Sequence, residues 1–146
     1  MATWTTQQET AGRPEDVMDL LTNPDAIARW APIPFEVIDF TGDRLLAGDS
    51  ARVRGGLAGR SMEFTVNIAA ASDGRLALTA NGPIDIDVEY VAEEIGDGSN
   101  LRARVEVSGR GLIGRILAQA TDALLAGGAL RSAVSRIALE LEPLPV

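Results

Sequence analysis

The stretch Ser61-Met62-Glu63-Phe64-Thr65-Val66-Asn67-Ile68-Ala69-Ala70 alternates without a break: Met62, Phe64, Val66, Ile68 and Ala70 fall on one face, Ser61, Glu63, Thr65 and Asn67 on the other. Successive side chains of a strand point to opposite sides, so this predicts a strand with one dry face and one wet face. The pattern returns downstream. Ile84, Ile86, Val88 and Tyr90 oppose Asp85, Asp87 and Glu89, and Leu101, Ala103, Val105 and Val107 oppose Arg102, Arg104 and Glu106. Turn residues separate the segments at Thr41-Gly42-Asp43, Gly48-Asp49, Gly55-Gly56, Ser72-Asp73-Gly74, Asn81-Gly82-Pro83 and Gly96-Asp97-Gly98-Ser99. Half-buried strands joined this tightly predict an antiparallel sheet covered on one side only.

Both ends of the chain change period. Arg13-Pro14-Glu15-Asp16 places proline and two acids where a helix begins, ahead of Val17, Met18, Leu20 and Leu21. Asn23-Pro24-Asp25 starts a second helix, with Asn23 as its cap, that stops near Trp30, before Pro32 and Pro34. From Leu112 to Leu141 the apolar residues Ile113, Leu117, Ala120, Leu124, Gly127, Leu130, Val134, Ile137 and Leu141 step by three or four. The stripe keeps its phase across Gly127-Gly128, which predicts one long helix over the dry face of the sheet. Two interior glycines cost a helix about 2 kcal/mol relative to alanine. They are expected to mark a bend, or a place where backbone or ligand comes close. No repeat, linker or second domain is read in residues 1–146, and the predicted class is α+β.

Composition excludes more chemistry than any motif supplies. The 146 residues are 46% hydrophobic and 23% charged, ordinary for one globular domain. Such a chain buries roughly 70% of its unfolded surface and needs no covalent staple. There is no cysteine, no histidine, and all 13 basic residues are arginine. Thiolate nucleophiles, sulfur-ligated metals, histidine-based triads, lysine Schiff bases and phosphate-binding P-loops are therefore excluded. The absence of lysine fits the codon bias of a GC-rich bacterial genome. A net charge of −8 disfavours nucleic acid and anionic membrane surfaces as partners. Residues 1–10 have no secretory pattern, and the apolar run Ile116–Leu130 carries Asp122 and two glycines, too short and interrupted to span a bilayer. The expected location is the cytoplasm.

The segment Ala11-Gly12-Arg13-Pro14-Glu15-Asp16-Val17, followed by Leu20-Leu21-Thr22-Asn23-Pro24-Asp25-Ala26-Ile27-Ala28-Arg29-Trp30, resembles the opening of the START-like, Bet v 1-like (SRPBCC) superfamily. More narrowly it resembles the bacterial polyketide cyclase/dehydrase and lipid-transport family. Ala47-Gly48-Asp49-Ser50-Ala51-Arg52-Val53-Arg54 and Gly96-Asp97-Gly98-Ser99 match later parts of the same pattern, so the resemblance covers nearly the whole chain. It implies the helix-grip fold: a seven-stranded antiparallel sheet wrapped around a long C-terminal helix, two short helices after the first strand, and an apolar cavity between sheet and long helix. The Gly55–Gly59 loop and Gly109-Arg110-Gly111-Leu112 are also similar to a family of small proteins associated with carbon monoxide dehydrogenase.

Strand phase predicts which side chains face the helix: Val53, Met62, Phe64, Val66, Leu76, Leu78, Ile86, Val88, Tyr90, Ala103 and Val105, met by Leu117, Ala120, Thr121 and Leu124. They form either a solid core or the wall of a cavity. Tyr90, the single tyrosine, could orient a ligand carbonyl or donate a proton, or be a core aromatic with its hydroxyl at the rim. Trp30, at the family's usual aromatic position, either guards the cavity mouth or anchors its helix. Phe35 and Phe40 lie in a strand of ambiguous phase, so one of Glu36 and Asp39 shares the inward side and becomes a candidate acid or base with a raised pKa. Arg52 and Arg54 either project toward the cavity entrance to meet an acidic ligand or lie on the surface. Asp85, Asp87 and Glu89 are read as a solvated row that pairs across strands with Arg102 and Arg104. As a metal site the row is poor, alternate strand residues lying about 6.6 Å apart, and Asp122 is expected to be exposed. No metal and no cofactor are expected.

The expected ligand set is Trp30, Phe35, Arg54, Met62, Phe64, Leu78, Val88, Tyr90, Val105, Leu117, Ala120, Thr121 and Leu124. Three functions compete. The first is binding or carriage of a small hydrophobic molecule, lipid, polyketide or isoprenoid, in a cavity of roughly 300 to 1,000 Å³. The second is a cyclase, aromatase or dehydratase using Tyr90 or Glu36 to move protons, which the lack of histidine disfavours. The third is an accessory protein whose groove takes a protein segment. A monomer or a homodimer suits any of them.

Overall fold

The computed structural model describes residues 2–40, 42–57 and 59–142. The chain order is β1 (Ala2–Thr10), α1 (Pro14–Thr22), α2 (Pro24–Trp30), β2 (Phe35–Asp39), β3 (Ser50–Leu57), β4 (Arg60–Ser72), β5 (Arg75–Asn81), β6 (Ile84–Ile95), β7 (Gly98–Gly109), α3 (Gly111–Ala126) and α4 (Ala129–Leu141). The seven strands form one antiparallel sheet in the order β1-β7-β6-β5-β4-β3-β2. Each strand from β2 to β6 pairs with the next in sequence, and β1 closes onto β7 so that Trp4 lies opposite Val105. The α+β class and the seven strands agree with the alternation and turns read from the sequence.

Local chemistry explains the two short helices. The Asp16 carboxylate accepts the Arg13 backbone N–H at 3.1 Å, and Asn23 Oδ1 accepts the Asp25 N–H at 3.0 Å. Each bond satisfies a backbone donor at or beside a helix start, and Pro14 and Pro24 occupy first-turn positions where no donor is needed. Val17 and Leu21 of α1 are fully buried. The Trp30 indole N–H donates to the Leu20 carbonyl at 2.8 Å, tying α2 to α1.

The C-terminal cover departs from the expected single helix over Leu112–Leu141. It is two helices, broken at Gly127-Gly128, where Gly128 takes φ 98°. That conformation is routine only for glycine. A β-carbon at Gly128 would meet nothing within 4 Å. The pair is therefore a break in the backbone path, and no strand approaches Gly128. The burial phase of α3 also differs. Gly114, Leu117, Thr121 and Leu125 are buried, whereas Ile113 and Leu124 are 65% and 39% exposed. The cause is a close backbone approach: a β-carbon on Gly109 at the end of β7 would collide with the Gly114 carbonyl. That contact turns Gly114 inward and leaves Ile113 outside.

Helix α4 packs on β1 and β7, and α3 on β7 and β6. The α4 residues Leu130, Ala133, Val134, Ile137 and Ala138 close the core against that half of the sheet. The other half is roofed differently, and this asymmetry positions the site.

Candidate functional site

Over strands β3 to β6 lies an apolar cavity of about 200 Å³. Its floor is built by strand phase: Ala51, Val53 and Gly55 on β3, Phe64, Val66 and Ile68 on β4, Leu76, Leu78 and Ala80 on β5, and Ile86, Val88 and Tyr90 on β6. Its roof is α2 with the segment after it, through Ile27, Trp30, Pro32 and Ile33, and the edge strand through Phe35 and Val37. Phe40 and Leu45 close one side, and Val105 and Leu125 the side toward the C-terminal helices. The prolines that end α2 hold residues 31–34 in a non-helical path across the opening. The volume is below the 300 to 1,000 Å³ expected from the sequence, because Trp30, Phe64 and Tyr90 fill much of the space.

Of the expected ligand set, Trp30, Phe35, Phe64, Leu78, Val88, Tyr90 and Val105 line the cavity. Six others do not. Met62 is buried beyond its edge, and Leu117 and Thr121 are buried between α3 and the sheet. Ala120 and Leu124 face away because α3 is rotated; Leu125, one residue on, takes the place expected of Leu124. Arg54 is outward by the same period-two rule that turns Val53 in. With Arg52 it pairs with Glu63, at 3.4 and 3.0 Å. The Arg52 guanidinium, with Arg54 second, holds the Glu63 carboxyl below its usual value. Neither Arg52 nor Arg54 lines the cavity.

Glu36 is likewise corrected. It is exposed on the edge strand opposite Arg54, and Asp39 is exposed beyond a register shift in the same strand. Strand β2 has no helix over it at those positions, so neither acid is driven inward. The outward row Asp85, Asp87 and Glu89 is paired differently from expectation. Glu89 bonds Arg75 of β5 at 2.7 Å, and Asp85 pairs with Arg110, whose guanidinium is held above its ordinary pKa by that carboxylate. Asp122 is partly buried and accepts the Trp4 indole N–H at 3.1 Å, where full exposure was expected.

Among the described residues, Tyr90 is the one polar side chain in the cavity wall. It is 1% exposed, and its ring meets Trp30 edge to face with centroids 5.1 Å apart. Such pairs add about 0.5 to 1.5 kcal/mol beyond area burial and fix ring orientation. Burial alone pushes its phenol pKa well above the ordinary value, so the hydroxyl keeps its proton. Sequence reasoning missed the roof residues Ile27, Pro32, Ile33 and Val37, and two further kinds of wall residue. Ala51, Ile68 and Ala80 share the inward phase of their strands and were legible. Leu45 lies in a loop without period, and Leu125 depends on a helix rotation that hydrophobicity does not encode.

This geometry is the helix-grip fold of START-like and Bet v 1-like proteins, an antiparallel sheet closed by C-terminal helices with an apolar space inside. Solved structures agree. The chain is similar to the Zhui aromatase/cyclase from Streptomyces sp. R1128, with a TM-score of 0.73 and 12% identity over 96% of this chain and 93% of that one. A START superfamily protein from Mycobacterium smegmatis gives a TM-score of 0.67 at 15% identity, over 96% and 99% of the two chains. Ara h 8.0201 gives 0.60 at 14%, over 93% and 97%. No protein-family model matches the sequence, and no curated protein matches it. At these identities the likeness is one of fold.

Proposed function

We propose that the protein binds or carries a small hydrophobic molecule in the cavity over β3 to β6. The observation that carries this reading is the lining itself: a concave space whose wall is apolar but for one tyrosine. Apolar clefts with few convergent polar groups are where small ligands bind. The volume, about 200 Å³, suits a compact ligand or one whose end protrudes past Val37, which is 41% exposed at the rim. The cyclase reading has less support. Proton transfer needs a titratable group within reach of the substrate. Glu36 is exposed on the edge strand, and burial raises the Tyr90 phenol pKa, which makes it a poorer proton donor. In this proposal the protein acts in a bacterial cytoplasm, as a monomer or a homodimer.

The test is thermal. A panel of aromatic polyketides, fatty acids and isoprenoids should include at least one class that raises the melting temperature saturably. Ligand at a hundred times its Kd stabilises the native state by about 2.7 kcal/mol. Replacing Ala80, on the cavity floor, by tryptophan should abolish the shift. A shift that survives Ala80→Trp, or none with any class, would refute the cavity as the binding site.

A further inference from the structure

Among the described residues, the other buried hydroxyl groups are paired. Thr22 and Thr121 donate to the carbonyls four residues earlier, at 2.7 and 2.9 Å, and Ser99 donates to the Gly12 carbonyl at 2.6 Å. Thr10 accepts the Gly12 N–H at 3.0 Å. Among the described residues the Tyr90 hydroxyl oxygen is the single buried side-chain polar atom with no partner. Burying a donor without an acceptor is unfavourable, and such groups are few in native proteins. Tyr90 cannot escape to water, because its ring is held against Trp30 and is 1% exposed.

Among the described residues, the cavity wall supplies no acceptor side chain and no cation. The other side chains of the cavity wall are apolar. The Trp30 N–H is already given to Leu20, and Arg52 and Arg54 are turned outward onto Glu63. Among the described wall residues no side chain can accept this hydrogen bond, which leaves a ligand oxygen as a partner of matching chemistry. A carboxylate or phosphate placed there would lose its hydration with no counter-charge in return.

We infer that the cavity selects neutral, largely apolar molecules carrying a hydrogen-bond acceptor, such as a ketone, ester or ether oxygen, which receives the Tyr90 hydroxyl. This rests on the binding reading above and names its ligand class. The phenol donates one hydrogen bond, no covalent bond is made or broken, and the apolar wall holds the remainder of the molecule.

Three naphthalenes of similar shape separate the possibilities: acetylnaphthalene, ethylnaphthalene and naphthoate, titrated calorimetrically against the native protein and against Tyr90→Phe. The variant should weaken acetylnaphthalene by about five- to ten-fold, the range of one hydrogen bond, and leave ethylnaphthalene unchanged. Naphthoate should bind the native protein more weakly than the ketone by about ten-fold or more. In the native protein the carbonyl stretch of bound acetylnaphthalene should lie below its value in hexane, a readout that does not depend on the variant folding. A hexane-like stretch, an equal loss of both neutral ligands in Tyr90→Phe, or a loss of neither would overturn the inference and leave the binding reading intact. Naphthoate binding as tightly as the ketone would overturn the neutral class. If none of the three binds the native protein, this inference falls, while the binding reading is decided separately by the thermal panel and Ala80→Trp.

Discussion

Tyr90 is legible as a candidate from the sequence, since it is the single tyrosine and sits on the dry face of its strand. Its isolation is not, because that depends on what β2 to β7 and α2 bring around it. The composition makes its titration unusually clean. With no lysine and no cysteine, Tyr90 is the only side chain whose ordinary pKa, 10.0, lies between pH 9 and 12. In the folded protein the phenol pKa is raised by burial; in the unfolded chain it ionises near its ordinary value. The folded state therefore holds the proton longer. This contribution to stability is complete below pH 10 and falls above it by about 1.4 kcal/mol per pH unit. Denaturant melts from pH 8 to 12 should show this fall in the native protein and its loss in Tyr90→Phe, with phenolate absorbance appearing only on unfolding. An equal decline in both proteins would place the alkaline limit elsewhere. Arg54 and Glu36 carry a complementary lesson. Their residue types suggested chemistry, but an outward phase and an uncovered edge strand leave both on the surface.

Among the elements, the C-terminal cover shows where pattern reading fails. A stripe stepping by three or four survives a break when the second helix resumes near the same phase, so periodicity alone could not separate one helix from two. The glycine pair can be resolved by substitution. Gly128→Ala should destabilise by about 1 to 2 kcal/mol from backbone strain at φ 98°, without altering ligand affinity. Gly127, at φ −73°, should accept alanine with no loss and a gain of up to about 1 kcal/mol. A stabilised Gly128→Ala would show that the break is not required. Within α3, the rotation forced by the Gly109 and Gly114 contact makes opposite predictions for two large residues. Leu117→Ala should cost about 2 to 5 kcal/mol, since Leu117 is 5% exposed. Ile113→Glu, at a position 65% exposed, should stay within about 0.5 kcal/mol. Chemical denaturation of the two variants decides between this phase and the one read from hydrophobicity.

For the whole molecule, stability depends on two different covers over one sheet: α3 and α4 over β1, β7 and β6, and the α1–α2 pair with the edge strand over the remainder. Removing residues 111–146 would expose Leu101, Val105 and Val107, each at most 4% exposed in the intact chain. Such a truncated chain should not melt cooperatively, and a soluble fragment with a sharp transition would contradict this account. What the sequence by itself determined is the class and the order of elements. Alternation, turn residues and capping residues act over a few positions, and each is written locally, so the strands, two capped helices and a helical C-terminal segment could be read directly. The inward faces of β3 to β7 followed from the same period, which is why Phe64, Leu78, Val88, Tyr90 and Val105, five of the seven expected residues that line the cavity, could be read in advance. Tertiary structure alone decided the rest. The rotation of α3 is set by a backbone contact between glycines 109 and 114, where side-chain hydrophobicity has no say. The volume and lining of the cavity depend on how far the sheet curls and on where Trp30 and Leu45 come to rest, which no local period encodes. The unpaired hydroxyl of Tyr90 is likewise a property of its surroundings. It arises because, among the described residues, no other side chain in that wall can accept a hydrogen bond, a fact that exists only once the strands are side by side.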